Sequence, residues 1–406
     1  MNIAHLTSTF LPQIGGAEIV VHNLAVNQQA AGHQVFVIAN WRISKMLHGS
    51  LPYDILPWLP KMFSFNIRQR LNFKTKQWLM TQQLGYYQKK YDIDVWHLHS
   101  VYPVGVLAAP YLRQPRQLSV VTSHGEDIQT LPEINFGRRL DADIDREVIA
   151  SMSAYTIFAA ISDSIYDDVI QAGMARDRIR VVPNGVNAMR IKSLPFDVQE
   201  TRTEMGLPAD KFILLTVGRN HPKKGYHLIP NIIKHLADNR QDFLWVIVGR
   251  ACEPVVEKAT ELGIQDHLFI IPEIGQGKSV SDDTVPRIPS DAMIQVYRSA
   301  DIAVFPSLSE ASPLVHVESL AAGLPVVTTD APGSKDVIKH GVTGFLSAVG
   351  DTKAMGDNIL RLLSDETLRN ELGSNGQKEA EELEWSKVAL RYCELYEEII
   401  AESQAS

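Results

Sequence analysis

Short apolar, β-rich runs alternate with longer helical patterns from one end of the chain to the other. That alternation predicts parallel sheets built by right-handed crossovers. In the first half, strands are expected near Ile3–Ser8, Gln34–Ala39, Val95–His99, Ser119–Ser123, Thr156–Ala160 and Arg180–Val182, with helices near Ala17–Ala31, Val104–Arg113 and Ser164–Ala172. The second half restarts with strands near Phe212–Val217, Leu244–Val248, Leu268–Ile271, Ile302–Phe305 and Pro325–Thr328. Helices near Tyr226–Asp238, Pro254–Leu262, Asp291–Arg298 and Pro313–Ala322 separate them. Residues 188–210, polar and turn-rich with Pro195, Gly206 and Pro208, break the rhythm and read as a linker. The last segment carries Trp385, Val388, Tyr392, Leu395 and Ile399 at helical spacing. The pattern predicts an α/β chain with parallel-sheet, Rossmann-like domains over 1–190 and 191–384 and a terminal helix over 385–406.

Composition narrows the function classes. With 406 residues, 45% of them hydrophobic and 21% charged, the chain is ordinary globular material for two or three domains. No apolar run is long enough to span a bilayer, and the N-terminal residues lack a signal-peptide pattern. Two cysteines far apart, Cys252 and Cys393, match no metal spacing and suggest a reducing compartment, so a cytoplasmic location is expected. The net charge of −8 argues against nucleic acid as a partner. Residues 55–91 differ: they hold seven Lys or Arg and no Asp or Glu, leaving the rest of the chain at −15.

Chemistry-bearing residues gather just beyond predicted strands. Glu310 and Glu318 flank Ser312-Pro313, a helix entry at the carboxyl end of the strand Ile302–Phe305. Ser can cap a helix, Pro suits its first position, and the free amides there favour an anion such as a diphosphate. In open α/β sheets ligands bind at that edge. Two carboxylates beside a phosphate site suit the hydroxyls of sugars. Arg219 and Lys224 follow the strand Phe212–Val217 and read either as a solvated basic turn or as a diphosphate clamp. Gly15-Gly16 precedes an amphipathic helix and is either a plain turn or a close-approach site for a ligand. It is not a dinucleotide fingerprint. His124, in Ser123-His124-Gly125-Glu126-Asp127, is either a buried structural histidine or a cleft residue.

Taken together, these motifs resemble the retaining glycosyltransferases of family 4 (glycosyltransferase group 1), over nearly the whole chain. The resemblance implies the GT-B fold: two Rossmann-like domains facing a central cleft, with a C-terminal helix packing back on the N-terminal domain. It implies an N-terminal acceptor-binding domain and a C-terminal domain binding a nucleoside-diphosphate sugar, the donor substrate, with no other cofactor. By resemblance, Arg219 and Lys224 hold the diphosphate and stabilise the leaving group, Glu310 binds the transferred sugar, and Glu318 binds ribose. His124 contacts the sugar near the reacting centre. Gly15, Gly16, Asp127, Ser312, Pro313 and Leu314 complete the donor site. Val182-Pro183-Asn184-Gly185-Val186 matches a hinge signature. No Asp-x-Asp run stands at the carboxyl end of a predicted strand, which agrees with a metal-independent reaction.

Two segments stand apart. The basic stretch 55–91, with Trp58, Phe63, Phe65 and Trp78 among its cations, is expected to lie on an anionic membrane at its inner face, or else to be a helix covering its sheet. The polar, glycine-containing stretch 273–287 is an insertion relative to the family pattern. The expected reaction is transfer of a hexose-type sugar to a hydroxyl of a glycan or lipid-linked acceptor. A nucleotide-sugar epimerase of the same architecture and a catalytically silent sugar-nucleotide-binding partner are the rivals.

Overall fold

The computed structural model describes residues 1–47, 49–58, 72–272, 274 and 288–405, which form two compact units. The first takes in Met1–Asn184 and Trp385–Ser406, and the second begins at Gly185 and ends at Glu384. In the first unit a parallel sheet has the order β3-β2-β1-β4-β5-β6-β7. Its strands are β1 (Asn2–Leu6), β2 (Gln34–Ala39), β3 (Asp54–Pro57), β4 (Val95–Leu98), β5 (Ser119–Val121), β6 (Ile157–Ala160) and β7 (Ile179–Val181). The second unit has the order β10-β9-β8-β11-β12-β13, again parallel. These strands are β8 (Phe212–Val217), β9 (Phe243–Val248), β10 (Leu268–Ile271), β11 (Ile302–Phe305), β12 (Val326–Thr329) and β13 (Gly344–Ser347).

The near-continuous apolar strands follow from burial on both faces. In the second unit, Leu214, Trp245, Ile247 and Val304 join one core with Ile229, Ile232, Ile233 and Met355. Their strand neighbours Ile213, Leu215, Val246 and Ala303 join another with Ile191, Ile294, Val317 and Leu320. Successive residues thus point to opposite cores, each roofed by helices.

Helix starts are set by capping side chains: Asn72 accepts from Thr75 N at 2.9 Å, Ser162 from Ile165 N at 3.2 Å and Ser290 from Met293 N at 3.2 Å. The C-terminal helix Trp385–Ala405 packs on the helix Gly16–Ala30 of the first unit, as the resemblance implies.

The fold departs from expectation in two places. The stretch 188–210 is no free linker: it forms the helices Ala188–Ser193 and Val198–Glu204 within the second unit. Ile191 enters that unit's core, and Arg202 donates to Asp301 at 2.9 Å and to the Ser299 carbonyl at 2.9 Å. Pro195 and Gly206 fall outside these helices rather than dissolving them. Strands β3 and β13 were not expected. Both are four-residue sheet edges, too short to display a period. Finally, most of the insertion 273–287 and the part of the basic segment with Lys61, Arg68 and Arg70 lie outside the described residues. The rest of that segment includes the helix Phe73–Tyr91, whose Gln83 donates to the Pro57 carbonyl at 3.0 Å.

Candidate functional site

The second sheet changes direction between β8 and β11: β8, β9 and β10 build outward on one side, and β11, β12 and β13 on the other. Such a switch point leaves a crevice at the strands' carboxyl ends. Arg219 and Lys224 follow β8, and Glu310 and Glu318 follow β11, so the sheet brings the four to one edge.

Lys224 Nζ lies 2.7 Å from Glu310 Oε1, which also accepts from Ser307 Oγ at 2.8 Å. Glu310 is buried, which by itself would push its carboxyl upward. Lys224 and Lys223 more than offset that, and the net shift is downward, so Glu310 stays ionised. Two glycines shape this corner. Gly225 has φ +65°, and a Cβ there would sit 1.9 Å from the Pro306 carbonyl oxygen. Gly333 has φ +77°, and a Cβ would meet the Glu310 carbonyl oxygen at 2.5 Å. The Leu308 N–H donates to the Lys223 carbonyl at 2.7 Å, tying the two loops together. Arg219 is exposed and has no hydrogen bond or ion pair with the described residues.

The helix after Glu310 runs Leu314–Ala321. Pro313, not Ser312, occupies its cap position and offers no capping side chain, and lacking an N–H it cannot donate to an anion. The amides of Leu314 and Val315 open the helix and have no intrahelical acceptor. Glu318 Oε2 accepts from Tyr297 Oη at 2.7 Å. Burial pushes the Glu318 carboxyl up to about 7, with the Tyr297 hydrogen bond working against it. His316 is fully buried against Phe305, ring centroids 4.5 Å apart, and burial holds it down at about 3.

The first sheet switches direction between β1 and β4. Gly15 and Gly16 follow β1 and open the helix Gly16–Ala30. A Cβ on Gly15 would meet Glu18 Oε2 at 2.6 Å, whereas Gly16 has nothing within 4 Å. His124 follows β5; its ring stacks on His99, and its Nε2 lies 3.4 Å from His99 Nδ1. Burial depresses His124 to about 4, so it is neutral. Asp127, expected beside the donor, is instead buried with both oxygens turned inward. It accepts from Ser123 Oγ at 2.5 Å and from the amides of Val101 and Tyr102, bracing the loop that carries His124. Beneath it, one ring nitrogen from each of His5, His97 and His99 lies within 4.8 Å of the other two in a ligand-like group. All six ring nitrogens of these three histidines have hydrogen-bond partners within the protein.

Residues 14–190 match the family described as Glycosyltransferase Family 4, and residues 211–365 match Glycosyl transferases group 1. The chain belongs to the family-4, group 1 glycosyltransferases. The capsular polysaccharide biosynthesis glycosyltransferase CapM of Staphylococcus aureus is 27% identical over 307 residues, 74% of this chain and 75% of that protein. The N-acetyl-alpha-D-glucosaminyl L-malate synthase of Bacillus anthracis is 21% identical over 98% of this chain and 97% of that protein. Among solved structures, Anabaena Alr3699/HepE in complex with UDP superposes with a TM-score of 0.76 at 20% identity, covering 98% of this chain and 100% of that one. The architecture is therefore GT-B.

For this glycosyltransferase, the sequence motifs mark the strand ends but omit their supports. Tyr297, Ser307 and the histidines beneath His124 carry no motif. Only the pairing of β1 with β4, which sets His5 opposite His97, brings the latter into view. Among the described residues no helix is long and apolar enough to cross a membrane.

Proposed function

We propose that this glycosyltransferase moves a sugar from a nucleoside diphosphate to a hydroxyl of a glycan or lipid-linked acceptor, with retention at the anomeric carbon and without a metal. The observation that carries the reading is the Lys224–Glu310 ion pair at the β8–β11 switch point, with exposed Arg219 after the same strand and the amides opening Leu314–Ala321 after β11. Cations and helix amides favour the diphosphate and the negative charge that grows on it as the glycosidic bond breaks. Ionised Glu310 accepts a hydroxyl of the transferred sugar, and Glu318 accepts the ribose hydroxyls. His124 contacts the sugar, the Gly15-Gly16 turn lets the ligand approach the backbone, and Asp127 holds the His124 loop. No side chain in this set is an evident nucleophile, so front-face attack is the favoured route, the donor's phosphate oxygen taking the acceptor's proton.

The UDP complexes of HepE make uridine the first base to test, and CapM's part in capsular polysaccharide biosynthesis points toward a glycan acceptor. Acceptor-dependent release of nucleoside diphosphate, with the product's anomeric configuration read by NMR, tests the reading. Donor interconversion without an acceptor would instead identify an epimerase. Binding of the donor with no turnover for any acceptor would favour the silent partner.

The helix Phe73–Tyr91 supports a second part of the proposal. Trp78 is 60% exposed and Tyr86 50%, on a helix that also carries Lys74, Lys76, Lys89 and Lys90. We propose that this face docks on anionic lipid at the cytoplasmic side of a membrane. Flotation with anionic vesicles should be lost in Lys74→Glu/Lys76→Glu/Trp78→Ala; no flotation of the wild type would reject docking.

A further inference from the structure

A continuous chain of hydrogen bonds runs through the core of the first unit, from His124 to the C-terminal helix. His124 Nε2 lies 3.4 Å from His99 Nδ1, His99 Nε2 lies 2.8 Å from His5 Nδ1, and His5 Nε2 lies 2.7 Å from Gln28 Oε1. Gln28 Nε2 donates to Tyr396 Oη at 3.4 Å, and Tyr396 Oη lies 2.6 Å from His97 Nδ1. His97 Nε2 reaches Thr122 Oγ1 at 2.9 Å, and Thr122 reaches Tyr392 Oη at 3.4 Å. His5, Gln28 and His97 are wholly buried and His99 nearly so, which leaves little water to supply alternative partners.

The chemistry of one end fixes the rest. An amide oxygen only accepts, so His5 Nε2 must carry the hydrogen. A neutral His5 then has a bare Nδ1, which must accept from His99 Nε2–H. His99 Nδ1 is bare in turn and accepts from His124 Nε2–H. Burial depresses His5 and His124 to about 4 and His99 well below its ordinary value, in keeping with three neutral rings. We propose that Gln28 is a positioning residue: through His5 and His99 it holds His124 as the Nε2–H tautomer, with Nδ1 left as the lone-pair nitrogen. Gln28 sits in the helix Gly16–Ala30 and is linked to His124 through His5 and His99. The consequence for catalysis rests on the reading of His124 as a sugar contact, whereas the tautomer itself does not.

Nitrogen-15 histidine labelling of the full chain, with long-range proton–nitrogen correlation, reads each tautomer directly. His5, His99 and His124 should all appear as Nε2–H forms in the wild type. Gln28→Met, which removes the acceptor, should mix the tautomers of all three. Gln28→Glu, which keeps an oxygen facing His5, should restore them. Turnover should fall on the order of tenfold to a hundredfold in Gln28→Met, the scale of a misoriented imidazole, and return in Gln28→Glu. An Nδ1–H form of His124 in the wild type, or tautomers unmoved by Gln28→Met, would overturn the proposal, and the wild-type spectrum decides even if Gln28→Met does not fold. Tautomers that respond while turnover does not would leave the relay standing and remove His124 from the transfer reaction.

Discussion

Tyr297 donates its phenolic hydrogen to Glu318 Oε2 across 2.7 Å, joining the helices Asp291–Arg298 and Leu314–Ala321. On the proposed reading Glu318 holds ribose hydroxyls, and a carboxylate with that task needs one donor already in place to keep it oriented. Tyr297 supplies that donor from within the fold.

The pair predicts a pH dependence. Burial raises the Glu318 carboxyl from 4.5 to about 7, with the Tyr297 bond opposing the shift. Between those values the folded chain holds a proton that the unfolded chain has released, so stability falls as pH rises through that window. Glu318→Gln has no proton to lose and should flatten this part of the profile. Urea midpoints near about pH 5 and about pH 8 read the difference, and parallel profiles for the two proteins would reject it. Nucleoside-diphosphate affinity should run the other way, rising with pH in the wild type as the carboxylate forms.

The Lys224–Glu310 pair predicts a separation of stability from activity. Lys224→Ala leaves a buried carboxylate without its cation, a loss of about 3 kcal/mol by the usual behaviour of such pairs. Adding Glu310→Gln should recover most of that stability, because the orphan charge is gone. Activity should stay low in both if Lys224 holds the diphosphate as proposed, since that lysine is still missing. Denaturant titration beside initial rates makes the comparison. Recovery of activity in the double variant would show that Lys224 acts only on Glu310.

How much of this was legible in the sequence depends on distance along the chain. Arg219 and Lys224 lie in the loop after the apolar run Phe212–Val217, and Glu310 and Glu318 in the loop and helix after Ile302–Phe305, and a strand end is a local signal. That Lys224 would pair with Glu310 was not legible, because 86 positions separate them and only the β8–β11 pairing closes the gap. The same limit hid Gln28, an unremarked polar residue in an amphipathic helix until Tyr396 arrives from the far end of the chain. Residues 188–210 misled for the opposite reason: Pro and Gly there punctuate two short helices, each too brief to establish a period.

Glycines of similar appearance should behave differently. Gly225→Ala places a Cβ 1.9 Å from the Pro306 carbonyl oxygen at a φ of +65°, and backbone cannot yield as a side chain does. It should destabilise by roughly 2 kcal/mol or more and shift Lys224 away from Glu310. Gly16→Ala meets nothing within 4 Å at a helix start and should be neutral or stabilising. If that open space admits ligand, Gly16→Ala will raise the acceptor or donor KM without lowering the melting temperature. Thermal melts and KM values for the two variants distinguish the cases.

Arg219 offers the cleanest test of the diphosphate reading, because the fold has no evident use for it. It is exposed and bonds to none of the described residues, so Arg219→Ala should alter stability by less than about 0.5 kcal/mol. A guanidinium that meets growing negative charge is worth far more than that during reaction. The same variant should lower kcat/KM on the order of a hundredfold, the scale of one lost oxyanion donor. Arg219→Lys keeps the charge but loses the planar fork, and should recover only part of the rate. Full recovery by lysine would mean that charge alone is used. An unchanged rate in Arg219→Ala would leave the diphosphate to Lys224 and the helix amides, and the residue to the solvent.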